Sequence, residues 1–277
     1  MNDIITTIGN SILQHGKYND RIYLMKLSKY DCPNIIDKLD KLALVEGYSK
    51  IFAKVPASAK NEFTENGYLI EAYIPQFYKG YEDVYFMGKY FTESRMLDDR
   101  LEEINEILGV ARSKAKDKIK LELPAGFSYK ICDKSNVFQM AEVYKQVFET
   151  YPFPIYDPQY IMKIMDKDFI FFGVWKNNMI VALSSSEMDA YSQNVEMTDF
   201  ATLPDYRGNR FAVYLLNKME NEMQKRNVKL AYTIARTVSY SINIIFASMG
   251  YKYSGTLLKN TNISGNFESM NVWHKFL

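Results

Sequence analysis

Cysteine and histidine are nearly missing from this 277-residue chain, which has two of each: Cys32, Cys132, His15 and His274. They are scattered, with no C-x-x-C, no H-x-x-x-H and no four-ligand spacing, so a metal centre has nothing to build on. The expectation is a protein without metal. Two isolated cysteines fit a reducing cytoplasm rather than a disulfide scaffold. Cys132 follows the β-patterned run Phe127 to Ile131 and reads as structural, not as a nucleophile. Also missing are a run of 18 apolar residues and a basic N-region leading into an apolar signal, which predicts a soluble intracellular protein. Charge of one sign is missing too. With a net charge of +1 and no basic patch, neither nucleic acid nor a membrane surface is an expected partner. No G-x-S-x-G elbow and no Walker loop occur, which removes serine hydrolases and P-loop proteins.

What is there is a strand, a short Arg/Gly turn and an amphipathic helix, running from Val195 to Arg226. The turn is Pro204-Asp205-Tyr206-Arg207-Gly208-Asn209-Arg210, and the helix starts near Phe211. The first backbone N–H groups of a helix lack intrahelical partners and sit at the positive end of its dipole, so such a turn presents donors to a pyrophosphate. Arg207 and Arg210 add charge-assisted donors.

A charged, helix-patterned segment from Glu93 to Lys120 divides the sequence, with Leu97, Leu101, Ile104 and Leu108 at helical spacing. Pro124-Ala125-Gly126 breaks it. Two units are expected, 1–123 and 124–277, the first ending in a linking helix over about 93–120. Beyond the break the pattern predicts strand 127–131, helix 136–149, a short helix near 158–165, strands 169–175, 179–191 and 195–203, helix 211–226, strand 230–236, helix 241–249 and strands 251–259 and 268–276. Lys176-Asn177-Asn178 reads as a hairpin turn.

The first unit repeats part of this plan. Strand 49–55, helix 57–66, Gly67-Tyr68 and strands 69–74 and 83–91 follow the order of strand 230–236, helix 241–249, Gly250-Tyr251 and the last two strands. Phe63 and Gly67 align with Phe246 and Gly250, and Glu82 and Lys89 with Glu268 and Lys275, as in an internal duplication. Asp31-Cys32-Pro33-Asn34 stands where the second copy has its Arg/Gly turn, so the first copy is expected to lack a phosphate cradle.

The order of elements and the turn Arg207-Gly208-Asn209-Arg210-Phe211-Ala212 resemble the GCN5-related N-acetyltransferases (GNAT), whose motif is Gln/Arg-x-x-Gly-x-Gly/Ala. Arg207 and Ala212 fit, while Arg210 stands at the glycine, where its side chain is expected to crowd the cradle. The runs Thr198-Asp199-Phe200-Ala201-Thr202, Thr233-Ile234-Ala235-Arg236, Asn260-Thr261-Asn262-Ile263 and Glu268-Ser269-Met270-Asn271-Val272-Trp273 are similar to those of β-lysine N-acetyltransferases, and the likeness covers the whole chain. The resemblance implies an α/β (α+β) GNAT fold, a central mixed twisted sheet flanked by helices, preceded by a degenerate GNAT-like half-domain. It implies acetyl-CoA as co-substrate and the N6 amine of β-lysine (3,6-diaminohexanoate) as acceptor, giving the compatible solute N6-acetyl-β-lysine. Two other readings stay open here: transfer to another small amine or amino acid, and a noncatalytic acyl-CoA-binding sensor.

By the same resemblance Glu196 is the general base and Asp199 pairs a substrate ammonium. If the strand is regular the two lie on opposite faces, and a bulge would change that. The backbone of Phe200, Ala201, Thr202 and Leu203 is expected along the pantetheine arm, and Arg207, Gly208, Asn209, Arg210, Phe211 and Ala212 around the pyrophosphate. Asn243 and Phe246 are further cofactor contacts, Phe246 standing where many family members have an acid tyrosine. Tyr240 or Tyr232 is the candidate substitute acid, with solvent as the alternative proton donor. Arg236 is expected to clamp the substrate carboxylate bidentately, with Asn262 and Glu268 at the β-ammonium.

Overall fold

The computed structural model describes residues 3–115 and 121–277. Strands β1 (Ile4–Ile8), β2 (Ser11–Gly16) and β3 (Arg21–Lys26) form a meander, and α1 (Ile35–Glu46) crosses to β4 (Lys50–Pro56). A 3₁₀ turn and α2 (Lys60–Glu65) lead to the hairpin β5 (Leu69–Tyr78) and β6 (Glu82–Tyr90). After α3 (Glu93–Met96) and α4 (Leu101–Ser113) come β7 (Phe127–Ile131), α5 (Val137–Val147), α6 (Pro158–Met165), β8 (Phe169–Lys176), β9 (Met179–Asp189) and β10 (Asn194–Thr202). The chain closes with α7 (Phe211–Lys225), β11 (Leu230–Arg236), α8 (Tyr240–Ser248), β12 (Lys252–Ile263) and β13 (Asn266–Phe276).

Local chemistry sets several of these boundaries. Asn177 and Asn178 both take positive φ, +49° and +65°, as a two-residue hairpin loop with the right twist requires. Asp157 caps α6 by accepting from the Gln159 N–H at 2.9 Å, with Pro158 at the first helical position.

The predicted helix over 93–120 is interrupted, and its stretch 116–120 lies outside the described residues. Leu97 is extended (φ −103°, ψ 128°), and both it and Leu101, the first residue of α4, are exposed, so only Ile104 and Leu108 of the four periodic positions reach the core. The reason is Asp98. Its buried carboxylate accepts from the Arg100 N–H at 3.0 Å and from the Ser269 hydroxyl, contacts that a continuous helix would forbid.

All thirteen strands among the described residues join one mixed sheet in the order β1-β2-β3-β4-β6-β5-β12-β13-β11-β10-β9-β8-β7. Its centre is the antiparallel contact of β5 with β12, where Gly255 faces Ala72. A Cβ on Gly255 would lie 2.1 Å from the Glu71 carbonyl oxygen, so the two halves can meet this closely only at a glycine. On either side the order is mirrored: β3 runs parallel to β4 as β10 does to β11, and β4 pairs antiparallel with β6 as β11 does with β13.

Side chains repeat as well. Phe63 packs edge-on against Tyr68 at 4.9 Å, and Phe246 against Tyr251 at 4.9 Å. Lys89 lies over the Tyr68 ring and bonds Asp40 of α1, while Lys275 lies over the Tyr251 ring and bonds Glu220 of α7. Both phenylalanines are fully buried, worth roughly 1.5–3 kcal/mol each.

Helices α1 and α2 cover one half of the sheet, and α4, α7 and α8 cover the same face of the other half. On the opposite face the two halves pack on one another, with Tyr23, Phe52, Phe77 and Phe86 against Leu230, Tyr232, Leu257 and Val272. The sheet therefore curls. Asn194 donates to the Phe77 carbonyl at 3.1 Å, the Lys79 N–H to Ser192 O at 2.7 Å, and Lys26 of β3 pairs with Asp189 of β9 at 3.5 Å. A buried ion pair, Lys50 with Glu71 at 3.0 Å, ties the seam, Lys50 also donating to Leu258 O at 2.7 Å.

Candidate active site

Strands β10 and β11 pair only from Asn194–Leu230 to Glu196–Tyr232, although β10 runs on to Thr202 and β11 to Arg236. The cause lies in β10, which bulges between Thr198 and Ala201 with Asp199 at φ +56°. A bulge bends its strand, and here the bend follows β9 and leaves β11. The Leu203 N–H is bonded to Val181 O of β9 at 3.0 Å, so the N–H and C=O of Thr202, one residue earlier, face the opened edge. That edge is a ready partner for an extended amide-bearing ligand.

The bulge also settles the geometry of the two acids. Asp199 turns to the face of Glu196, where it accepts from the Ser185 and Tyr151 hydroxyls. Glu187 faces Glu196 across the β9–β10 ladder, and Tyr232 faces it from β11. Burial first, and then the neighbouring Glu187 charge, raise Glu196 to about 7 against the opposing pull of Lys54. Burial likewise raises Glu187 and Asp199. Tyr232 is pushed well above its ordinary range by burial and by Glu196. Three carboxylates and a ring of tyrosines thus form one half-buried patch, while no group of three or more potential ligands among the described residues is arranged to hold a metal ion. Cys132 is buried, and burial pushes its thiol far up, which leaves it inert.

Past Thr202 the 3₁₀ turn Pro204–Tyr206 leads into the loop and α7. Gly208 has φ +83°, and a Cβ added to it would meet nothing within 4 Å, so the loop opens to solvent. The motif led to the expectation that Arg210 crowds the cradle, and the backbone here shows how the chain accepts a side chain at the glycine position. Arg210 takes the left-handed conformation itself, φ +59° and ψ +24°, at the N-cap of α7, and its side chain is exposed like that of Arg207. For a residue other than glycine this backbone costs about 1–2 kcal/mol. No side chain caps α7, so its first N–H groups remain for an anion. Arg207 is steadied by a bond from Nε to Thr202 O at 3.4 Å, and Asn209 donates to Tyr206 O at 2.9 Å. In the other half the loop before α1 carries Asp31, whose carboxylate is spent on the β1–β2 turn, accepting from the Asn10 N–H at 2.9 Å and the Ser11 hydroxyl at 2.6 Å.

Several expected site residues are occupied elsewhere. Arg236 has its guanidinium filled by Glu268, Nε to Oε2 at 2.8 Å and a terminal nitrogen to Oε1 at 2.7 Å, so the proposed clamp and ammonium ligand hold one another. Asn262 binds the N-terminal half, donating to Tyr18 O at 2.7 Å and accepting from the Gly265 N–H at 3.0 Å. Asn243 is fully buried. It donates to Arg236 O and Ser239 O and accepts from Asn271 and Trp273, both at 2.9 Å, which fixes the β11–α8 connection. Phe246 is fully buried beneath Phe200 (centroids 5.7 Å apart), and Phe211 and Ala201 are core residues, so these offer a ligand backbone at most. The Tyr240 hydroxyl donates to Glu106 of α4 at 3.1 Å, whereas Tyr232 is the tyrosine that reaches Glu196. Glu187, Tyr151 and Ser185 were not singled out in the sequence. The register of β9 on β10 brings in Ser185 and Glu187, and Tyr151 comes from the segment between α5 and α6, so no local pattern marked the three together.

A strand pair that parts beside a raised glutamate, followed by an uncapped helix start, is an arrangement that suits an acyl-CoA-dependent transferase. The chain belongs to the acetyltransferase (GNAT) family, whose pattern matches residues 137–251, and it is an acetyl-CoA-dependent N-acetyltransferase. It is 42% identical over 98% of its length, and 98% of the relative's, to the beta-lysine N(6)-acetyltransferase of Methanococcus maripaludis. It is 32% identical to the enzyme of that name from Methanosarcina mazei, over 88% of this chain and 97% of that one. The N-acetyltransferase YodP of Bacillus subtilis is 29% identical over 96% of each chain. No helix among the described residues is long and apolar enough to cross a membrane.

Proposed function

We propose that this enzyme transfers the acetyl group of acetyl-CoA to the N6 amine of β-lysine, giving N6-acetyl-β-lysine. The observation that carries the reading is the 42% identity to a relative named for that reaction over 98% of both chains, N-terminal half included. The charge pattern supports it. β-Lysine carries two ammonium groups and a carboxylate, and Glu187, Glu196 and Asp199 form a cation-seeking patch beside the strand gap. Acetylation of one amine leaves a neutral zwitterion.

A terminal amine has a pKa of about 10.4, so roughly one molecule in a few thousand is the free nucleophile at pH 7. Glu196, raised by burial and by Glu187 to about 7, is matched to take that proton. Asp199, held by Tyr151 and Ser185, orients an ammonium. The pantetheine arm pairs with the free edge of β10 at Phe200 to Thr202, where an N–H also meets the developing oxyanion. Arg207, the Gly208 to Arg210 backbone and the start of α7 hold the pyrophosphate. Solvent protonates the thiolate, whose pKa near 8.5 asks for little help.

In this reading residues 124–277 form the unit that carries the cofactor, and residues 1–123 form the unit that walls the amine. The reaction runs in the cytoplasm with free small-molecule substrates. NMR of the product made from β-lysine tests the regiochemistry: acetylation at N6 is expected, and acetylation at N3 would contradict it.

A further inference from the structure

The N-terminal half contributes more than a wall. By register, Tyr23 on β3 occupies the place in the first half that Glu196 on β10 occupies in the second, since Arg21 pairs with Lys50 as Asn194 pairs with Leu230. The curl of the sheet brings these equivalent positions face to face. Two residues past Phe52 on β4, Lys54 projects into the same space, with its ammonium 5.6 Å from the Tyr23 ring centre and 6.0 Å from that of Tyr232. Lys54 is half-buried, and the groups it feels include Tyr23, Glu196, Glu187 and Tyr78, drawn from four strands. Yet none of the ion pairs among the described residues involves it. Its ammonium stops short of every carboxylate that attracts it. The nearby Lys26 is paired with Asp189, and Arg236, the cation expected for this task, is closed by Glu268.

We infer that Lys54, with the Tyr23 hydroxyl beside it, binds the carboxylate of the acceptor amine. The N-terminal half thereby restricts the enzyme to amines that also carry an acid group. The inference rests on the proposed transfer to β-lysine, and it assigns a role to a residue outside the cofactor-binding half. The complementarity is direct: a substrate with two cationic ends and one anionic group meets Glu196, Glu187 and Asp199 on one side and a single unpaired cation on the other. A simple counter-charge for Glu196 would sit in contact with it.

The test compares β-lysine with 1,4-diaminopentane, the same diamine without its carboxylate, in the wild-type enzyme and in Lys54→Met. For β-lysine, kcat/KM should fall on the order of 30-fold or more, carried by KM, because a charged hydrogen-bond partner is lost. For 1,4-diaminopentane the change should stay below about threefold. Lys54→Arg, which keeps the charge, should restore most of the β-lysine activity, and acetyl-CoA binding should be unchanged in both variants. An equal fall on the two amines, or an unchanged KM for β-lysine, overturns the inference and leaves Lys54 as a distant counter-charge. If the wild-type enzyme instead prefers α-lysine or ornithine, the β-lysine reading falls. The carboxylate inference is then decided by the same comparison on that amine and its decarboxylated form.

Discussion

Glu196 and Tyr232 are the last register pair that β10 and β11 share, and the strands part immediately beyond it. The raised carboxylate therefore stands at the mouth of the gap in which the free edge of β10 awaits an extended ligand. The bulge at Asp199 produces both features, since it opens the gap and turns a second acid to the same face. The proposed ammonium ligand and cofactor edge, beside the proposed base, thus follow from one irregularity in one strand.

Replacing Glu196 by glutamine removes the proposed proton acceptor and keeps the shape. Steady-state kinetics should show kcat lower by about 10²–10⁴-fold with acetyl-CoA affinity unchanged. The wild-type rate should fall as pH drops through about 7, where Glu196 gains its proton, and the variant should lack that limb. An untouched rate and pH profile would remove Glu196 from the mechanism.

The same substitution has an opposite effect on stability. Glu196 binds its proton more tightly when folded, about 7 against an ordinary 4.5, so its contribution is full below about 4.5 and is lost as pH rises toward 7. Glu196→Gln, which has no charge to bury beside Glu187, should melt a few degrees above wild type at pH 8 and at the same temperature at pH 4. Equal melting temperatures at pH 8 would show that the Glu187–Glu196 repulsion is relieved elsewhere.

Arg236→Ala tests the pair with Glu268. Glu268 is buried while Arg236 is half-exposed, so losing the partner leaves a carboxylate that water can partly reach and should lower stability by about 1–3 kcal/mol in urea unfolding. Adding Glu268→Ala should recover part of that loss. If Arg236→Ala leaves stability intact and raises only KM for the amine, the guanidinium serves the substrate after all.

Arg210→Gly keeps the backbone that the cradle needs and removes one cation. Acetyl-CoA should bind about 3- to 10-fold more weakly, with weaker salt dependence. The melting temperature should hardly move, because relief of the left-handed strain offsets the greater freedom of glycine in the unfolded chain. A gain in affinity would mean that the side chain obstructs the site.

The local signals were legible in sequence. The strand, turn and helix from Val195 to Arg226 appear within one or two residues of their expected bounds, and the self-similarity of Phe63, Gly67 and Lys89 with Phe246, Gly250 and Lys275 appears as paired side-chain contacts. What failed was long-range. Arg236 and Glu268 are 32 residues apart, and nothing in either local pattern says that they meet. Asn243 looked like a polar residue available to a ligand, yet five bonds across α8, β11 and β13 saturate it. Lys54 and Glu187 reach the site only because the sheet curls and because β9 falls in one particular register. The break at Leu97 likewise depends on Ser269, far along the chain.

The most direct measurement is release of free CoA on mixing the protein with acetyl-CoA and a panel of β-lysine, α-lysine, ornithine and spermidine. The account predicts turnover that is fastest on β-lysine and is lost in Glu196→Gln. Tight acetyl-CoA binding with no CoA release on any amine would contradict it, as would a clear preference for spermidine.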